Sequence, residues 1–254
     1  MDLHYEIQGK GDPVVLLHSG GVDSRDWQFI APQLTQTHQV ITYDQRGTGK
    51  SSPRLEPVNH VEDFRRLLDS LEIDKAVLVG HSIGGQIATD FTLDNPERVT
   101  KLVLVAPGLT GFQFSPEFDR YVQAIWAAVP DVEKMLEVTL NSPVYAVHVV
   151  MNSPQRDRFY QIKHHNVLRA FEWENFDQVW TQPPAIERLN ELKSKTLFII
   201  GTQESEDCYR IAEFFKRVPD IRFAQIEGAD HIPTLTHPQE VYRLITQFLS
   251  ESQY

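Results

Sequence analysis

Short uninterrupted runs of aliphatic and β-branched residues recur along the chain and alternate with stretches whose apolar residues have helical spacing. Runs of this kind are typical of strands that are buried on both faces of a parallel sheet. We therefore predict strands at residues 14–18, 39–43, 77–79, 99–106, 196–201 and 221–226. Residues 3–8 instead alternate polar and apolar side chains, which predicts a short strand at an edge of the sheet.

The stretches between these strands predict helices. Helical spacing covers residues 26–34, 60–71, 207–217 and 239–249, and a further helix follows residue 82 as far as about residue 95. Asn59 is placed to cap the second of these helices. Strands that alternate with helices form a mostly parallel central sheet with helices on both faces, so the predicted fold class is α/β. In such a fold the chemistry lies at the carboxyl ends of the strands.

The pattern changes between residues 109 and 184. Strand signals with glycine punctuation stop there and helical spacing takes over, while residues 111–185 hold 12 of the 26 aromatic residues. This predicts a helical cap insertion at 109–184 in a core domain formed by 1–108 and 185–254. The following aromatic residues are candidates for lining a substrate pocket: Phe112, Phe114, Trp126, Trp173 and Trp180. Two histidines of the insertion, His164 and His165, are further candidates for substrate contact.

Composition narrows the choice of partners. A net charge of −11 disfavours nucleic acid, because a surface that binds phosphates needs clustered lysine and arginine. No segment has the length of a membrane span and the first residues lack a secretory pattern, which predicts a cytoplasmic protein without membrane contact. Cys208 is the one cysteine, so no internal disulfide is expected. We expect a small-molecule substrate and leave monomer or homodimer open.

One serine is placed for chemistry. Ser82 follows the run at 77–79 and precedes a helix, with Gly80 and Gly84 on either side. Glycines at these positions allow a sharp turn that holds the hydroxyl at the start of a helix, where free amides and the helix dipole favour a developing negative charge. The pattern therefore indicates a nucleophilic serine rather than an ordinary turn.

The stretch Gly80-His81-Ser82-Ile83-Gly84-Gly85 resembles the nucleophile elbow of the α/β-hydrolase superfamily, and the resemblance extends over residues 3–108 and 185–250. It implies that Ser82 is the catalytic nucleophile. It also implies that His231, in the loop after the last strand, acts as the base. Asp230 precedes this histidine where the family often has glycine, which could alter the loop or the charge of the imidazole.

The resemblance places the third catalytic residue after the strand at 196–201. Glu204 is the expected acid and would orient the imidazole of His231. Glu206 and Asp207 are close enough in sequence to take this role instead, or to stabilise the start of the next helix.

Two backbone amides are expected to form an oxyanion hole. Ile83 supplies one because it follows the nucleophile and begins a helix, and the second comes from Gly20 or Gly21 in the turn after residue 18. No histidine or cysteine set has the spacing of metal ligands, so neither a metal nor a cofactor is expected.

Together these features predict a serine hydrolase that cleaves a carboxylic ester or lactone through an acyl-enzyme intermediate. The aromatic cap favours an apolar or aromatic substrate of small to moderate size. A carbon–carbon bond hydrolase or an aminopeptidase on the same fold remains an alternative. A ligand-binding or receptor module with little turnover is the alternative from a different class.

Overall fold

The computed structural model describes residues 2–251, and the ends of the predicted core domain, residues 1 and 252–254, lie outside the described part. Seven strands form one sheet: β1 Tyr5–Gln8, β2 Pro13–Leu17, β3 Gln39–Tyr43, β4 Ala76–His81, β5 Val99–Val105, β6 Lys195–Gly201 and β7 Ile221–Ile226. Their order is β1-β3-β2-β4-β5-β6-β7. β1 pairs antiparallel with β3 at one edge, and the other pairs are parallel. The predicted mostly parallel sheet is confirmed.

The α-helices of the described residues are α1 Ala31–Leu34, α2 His60–Ser70, α3 Ile83–Asp94, α4 Pro116–Ala128, α5 Val132–Leu140, α6 His148–Met151, α7 Arg156–Ala170, α8 Ala185–Arg188, α9 Glu206–Phe215, α10 Pro233–Thr236 and α11 Pro238–Ser250. Asn59 caps α2 as predicted, because its side chain accepts a hydrogen bond from the Glu62 amide at 2.9 Å. Within residues 2–251, every helix lacks either the length or the apolar content that a bilayer crossing requires.

The helix predicted over residues 26–34 is wrong. The segment forms a 3-10 turn at Ser24–Trp27 and then the four-residue helix α1. Asp26 is buried in this turn, where its carboxylate accepts hydrogen bonds from the Ser19 amide at 3.0 Å and the Thr234 hydroxyl at 2.6 Å. These bonds hold the turn against the loop that carries Ser19 and against α10, so tertiary contacts act on the backbone of this segment.

Alternate side chains of the strands pack on opposite faces of the sheet. On β2, Val15 and Leu17 belong to the cluster formed with α2, α3 and α9, whereas Val14 and Leu16 belong to the cluster formed with α1 and α11. Both faces of β2 are therefore buried, which explains why this strand appears in the sequence as a continuous apolar run.

The segment between β5 and β6 contains α4 to α8, and α4 to α7 lie within residues 109–184. Helices α5, α6 and α7 share a third apolar cluster with Val22, after β2, and with Ile232, after β7. Because both residues follow the carboxyl ends of strands, this cluster holds the segment over the edge of the sheet where the chemistry is expected.

Candidate active site

Ser82 occupies the turn between β4 and α3. Its backbone has φ 53° and ψ −118°, a conformation that non-glycine residues rarely adopt. A Cβ on Gly80 would lie 2.4 Å from the Gly84 carbonyl oxygen, and a Cβ on Gly84 would lie 2.3 Å from the Leu17 carbonyl oxygen. Only glycine fits at either position, so the sequence permits the close approach of strand and helix that holds Ser82 at the turn.

Side chains from three loops meet at the carboxyl edge of the sheet. His231 Nε2 lies 3.0 Å from Ser82 Oγ, and His231 Nδ1 lies 3.0 Å from Glu204 Oε2. The other carboxylate oxygen of Glu204 accepts a hydrogen bond from the Ser205 amide at 2.9 Å. Because an ionised carboxylate only accepts, Nδ1 donates to Glu204 and Nε2 accepts from the serine hydroxyl. This geometry suits a base that removes the proton of Ser82.

The two alternative acids have other surroundings. Glu206 is exposed at the start of α9. Asp207 is buried, and its Oδ2 accepts hydrogen bonds from the Ser115 amide at 3.0 Å and the Ser115 hydroxyl at 2.8 Å. Its Oδ1 accepts from Arg210 at 2.6 Å. Among these three acids, the one hydrogen-bonded to His231 is Glu204.

The turn after β2 lies beside the start of α3. Ser19, Gly20 and Gly21 line the same cavity as Ser82, and a Cβ on Gly20 would lie 3.6 Å from Ile83 Cγ2. The Ser19 amide is already bonded to Asp26. The first amides of a helix have no partner within that helix. The amides of Ile83 and of Gly20 or Gly21 are thus the candidates for an oxyanion hole.

His81 and Asp26, which are not among the predicted site residues, form a buried pair beneath the site. His81 Nδ1 lies 2.8 Å from Asp26 Oδ2, and His81 Nε2 lies 2.7 Å from the His231 carbonyl oxygen. Both partners accept, so both ring nitrogens donate and the ring carries a positive charge. Burial disfavours this charge, but Asp26 outweighs it and raises the pKa of His81. Burial likewise opposes the charge of Asp26, and His81 lowers its pKa. The pair connects the elbow to the histidine loop.

Asp230, which precedes the candidate base, connects its loop to the 109–184 segment. The side chain is buried, and it accepts hydrogen bonds from the Val149 amide at 2.6 Å and the Ile232 amide at 3.2 Å. Burial raises the pKa of this carboxyl, and the two backbone bonds act against that shift. The His231 amide also donates to the Ala146 carbonyl at 2.9 Å. The histidine loop is therefore held from both sides.

A cavity of about 300 Å³ adjoins Ser82 and His231. The 109–184 segment contributes these side chains to its wall: Phe114, Phe118, Tyr121, Val144, Tyr145 and Lys163. Among the predicted aromatic residues, Phe114 lies on this wall.

The other predicted aromatic residues lie elsewhere. Phe112 packs into the core beside α9, and Trp180 packs against the same core cluster. Trp126 is 52% exposed and lies with Trp173 along a separate apolar groove of the segment. The indole of Trp173 donates to the Gly47 carbonyl at 2.9 Å. Trp126 lies on α4, whereas the other three residues lie in connections, so helical spacing does not show which of the four faces the cavity.

Several residues of the cavity wall are not among the predicted site residues. Phe118 and Tyr121 follow Phe114 at helical spacing, and this periodicity was the available signal. Tyr145 lies in the connection between α5 and α6, where no sequence pattern predicts a place on the cavity wall. Lys163 directly precedes His164 and His165, the predicted candidates for substrate contact, and neither histidine lines the cavity. The ring of His165 instead lies 3.2 Å from the Gly49 carbonyl oxygen.

Three donor atoms near the site are close enough for a metal ion to be considered. The ligand atoms of Glu204, Cys208 and His231 lie within 4.8 Å of one another. Desolvation raises the pKa of the Cys208 thiol well above its usual value, whereas a metal ligand must be a thiolate. Glu204 and His231 are also hydrogen-bonded to each other. The donor chemistry thus favours a hydrogen-bonded triad over a metal centre.

This order of strands and the sharp turn between β4 and α3 are typical of a hydrolase fold. A family model described as the alpha/beta hydrolase fold matches residues 12–238, and the chain belongs to this family. A putative carbamate hydrolase, RutD of Caulobacter vibrioides (strain NA1000 / CB15N), is 41% identical over 111 residues. That match spans 41% of this chain and 41% of the relative, so less than half of the relative's length is matched.

Two further comparisons cover nearly the whole chain. A pimeloyl-(acyl-carrier protein) methyl ester esterase of Legionella pneumophila (strain Corby) is 27% identical over 267 residues, which span 98% of this chain and 100% of the relative. The crystal structure of a hydrolase from Pseudomonas aeruginosa PA01 superposes with a TM-score of 0.80 at 23% identity, covering 98% of this chain and 94% of that chain. This structural likeness shows the shared fold.

Proposed function

We propose that the protein is a serine hydrolase that cleaves a carboxylic ester or lactone through an acyl-enzyme intermediate. The observation that carries the proposal is the hydrogen-bonded series from Ser82 through His231 to Glu204, with both contacts at 3.0 Å. Two of the relatives above are named a putative carbamate hydrolase and a methyl ester esterase, and carbamates and esters both contain a carbonyl carbon. Their chemistry supports the proposal for this chain.

In the proposed reaction, Ser82 Oγ attacks the carbonyl carbon while its proton passes to His231 Nε2. Glu204 holds the imidazole through Nδ1–H and stabilises the positive ring that forms. Ile83 and either Gly20 or Gly21 donate their amides to the tetrahedral oxygen. His231 then protonates the leaving alcohol, and water releases the acid from Ser82 by the same steps.

We further propose that residues 109–184 act as a cap that selects the substrate. The cavity wall carries Phe114, Phe118, Tyr121 and Tyr145, and the ring of Tyr145 lies 5.6 Å from that of His231. These rings provide an apolar surface beside the proposed nucleophile. A cavity of about 300 Å³ suits a substrate of small to moderate size.

Steady-state hydrolysis of p-nitrophenyl acetate tests the proposed nucleophile. We expect Ser82→Ala to lower kcat/KM by at least about 10³-fold, since the reaction loses the group that forms the acyl-enzyme. Ser250→Ala, which removes an exposed hydroxyl far along the chain at the end of α11, should retain the wild-type value within about twofold. Equal turnover by the wild type and Ser82→Ala would contradict the proposal and favour a ligand-binding module.

A further inference from the structure

A buried lysine of the 109–184 segment faces the cavity of the candidate active site. Lys163 lies on α7, is 6% exposed, and lines the cavity together with Ser82 and His231. The reaction steps given above do not use this side chain. Its presence calls for a physical reason, because burial of an ammonium group costs free energy unless the charge is paired.

Lys163 has a single polar partner in the described part of the chain. Its Nζ donates to the Tyr145 hydroxyl at 3.1 Å and lies 4.7 Å from the centre of that ring. No ion pair joins it to a carboxylate of residues 2–251. An ammonium group has three N–H donors, so two remain for a group that enters the cavity.

The carboxylates around the cavity already have other partners. Asp26 is paired with His81, Asp207 with Arg210, and Glu204 with His231. Within residues 2–251, the charge of Lys163 therefore has no carboxylate in ion-pair contact. Desolvation lowers the pKa of Lys163 to about 8, against a smaller opposite effect of Asp26. At neutral pH most of these side chains still carry the positive charge.

The ammonium group lies against the turn that carries the proposed oxyanion hole. A Cβ built on Gly21 would lie 2.7 Å from Lys163 Nζ, so this glycine leaves the space that the ammonium group occupies. A substrate held at Ser82 with its carbonyl oxygen toward Gly20 and Gly21 would thus place a neighbouring part of its acyl chain near Lys163.

We propose that Lys163 is a specificity-determining residue that binds a carboxylate of the substrate, so that the preferred substrates are small esters or lactones carrying a second, anionic group. This inference rests on the proposed hydrolase function, and it specifies the substrate class of the same site. A carboxylate would accept the two remaining N–H donors and supply the missing counterion. Apolar contacts with the aromatic wall would hold the carbon chain between the two polar ends.

Two esters that differ in one terminal group test the proposal. Mono-p-nitrophenyl glutarate and p-nitrophenyl pentanoate have acyl chains of equal length, ending in a carboxylate and a methyl group. We expect Lys163→Met to lower kcat/KM for the glutarate ester by about 30-fold, mainly through KM, because a charged hydrogen bond is lost. For the pentanoate ester the change should stay within about threefold. Lys163→Arg should restore part of the preference for the glutarate ester.

Lys134→Met provides the matched control. Lys134 is an exposed residue of α5, so this variant removes the same charge from the same segment outside the cavity. Its ratio of kcat/KM values for the two esters should equal that of the wild type. The proposal would be overturned if Lys163→Met leaves the ratio of the two kcat/KM values unchanged, which includes an equal loss for both esters.

Binding to an inactive variant separates this proposal from the proposed reaction. Calorimetric titration of Ser82→Ala with glutarate should show binding that disappears in the Ser82→Ala, Lys163→Met double variant. If the wild type cleaves neither ester but this difference appears, the hydrolase function fails and the anion site stands. If Ser82-dependent cleavage occurs without any preference for the glutarate ester, the hydrolase function stands and the anion site fails.

A measurement on the wild type does not depend on the folding of any variant. Inhibition of pentanoate ester hydrolysis by glutarate should weaken as the pH rises through about 8, because free Lys163 loses its charge there. Inhibition by neutral pentanol serves as the control, because it shows how the titration of other groups changes the pH profile. These groups are Tyr145 and Asp26 near Lys163, and His231, Tyr121, Asp207 and Cys208 around the cavity. Equal pH profiles for the two inhibitors would contradict the proposal.

Discussion

The hydrogen-bond partners of Glu204 distinguish this side chain from the other acids near the site. Its side chain is fully buried, and it divides its two carboxylate oxygens between the Ser205 amide and the imidazole of His231. A carboxylate in this position fixes which ring nitrogen carries the proton. The residue is therefore expected to act through orientation of the base, while the serine carries the covalent step.

Replacing this carboxylate by an amide tests the orienting role. We expect Glu204→Gln to lower kcat for p-nitrophenyl acetate by about 10²–10⁴-fold, because an amide allows the wrong imidazole tautomer. Glu206→Gln is the matched control, since Glu206 is exposed at the start of α9 and the change should stay within about twofold. The opposite order of effects would reassign the acid.

Some residues of the site can be predicted from the sequence, and others cannot. Ser82, Glu204 and His231 follow clear strand patterns, and the resemblance to a known family located them; their catalytic roles stay predictions. Lys163 was not predicted, because a lysine in an amphipathic helix usually lies on the solvated face. Burial of its ammonium group depends on how α7 packs over the sheet, and that packing is not encoded in local spacing.

At the scale of secondary structure elements, the elbow depends on the close approach of three backbones. The carbonyl oxygen of Leu17 on β2 occupies the space beside Gly84, which belongs to α3. Any side chain there would push the helix away from the sheet. The same displacement would move Ser82 relative to the loops that carry its partners.

A single methyl group probes this approach. We expect Gly84→Ala to lower the free energy of unfolding by about 3 kcal/mol or more, because its Cβ would lie 2.3 Å from a backbone oxygen. Gly20→Ala is a suitable stability control, since its Cβ would meet its nearest neighbour at an ordinary 3.6 Å. Urea denaturation measures both variants, and similar losses in the two would refute the steric account.

Prediction of elements succeeded where burial imposes a pattern. The strand at 39–43 has the predicted bounds, and its side chains are buried or half-buried on both faces of the sheet. The helix predicted at 26–34 failed for a tertiary reason, since the buried carboxylate of Asp26 bonds to Ser19 and to Thr234 on α10. Helical spacing in the 109–184 segment indicated helices but not their directions, so most of the cavity wall stayed unpredicted.

At the scale of the whole molecule, the pair of His81 and Asp26 joins segments that are far apart in sequence. Asp26 reaches the Ser19 turn and Thr234, and His81 reaches the carbonyl of His231. The carboxyl ends of several strands are thereby fastened at one buried point. Loss of this charge pair should loosen the rim of the sheet as a unit.

The pH dependence of stability reveals this pair. Because the pKa of His81 is raised in the folded protein, its contribution to stability is complete below the ordinary histidine pKa of 6.5. This contribution is lost as the pH rises through the pKa of His81 in the folded state. We expect the free energy of unfolding of His81→Gln to lie about 3–5 kcal/mol below that of the wild type at pH 6. This difference should narrow at higher pH. Urea denaturation between pH 6 and 9.5 measures this gap.

His148→Gln is the matched control for this measurement. His148 is exposed, and its ring bonds to the side chain of Gln203 at the surface. The difference in the free energy of unfolding between His148→Gln and the wild type should stay small at every pH. A constant gap for His81→Gln across the same range would show that the pair carries no charge.

The most direct test of the central claim is covalent trapping. A fluorophosphonate should phosphonylate Ser82 Oγ with loss of fluoride, and mass spectrometry of the intact protein followed by peptide mapping should locate one adduct on this residue. Labelling should be absent in Ser82→Ala and at least about 10²-fold slower in His231→Ala, because the serine then lacks its base. An adduct on another residue, or labelling at an unchanged rate in His231→Ala, would contradict the proposed convergence of these side chains on one reacting atom.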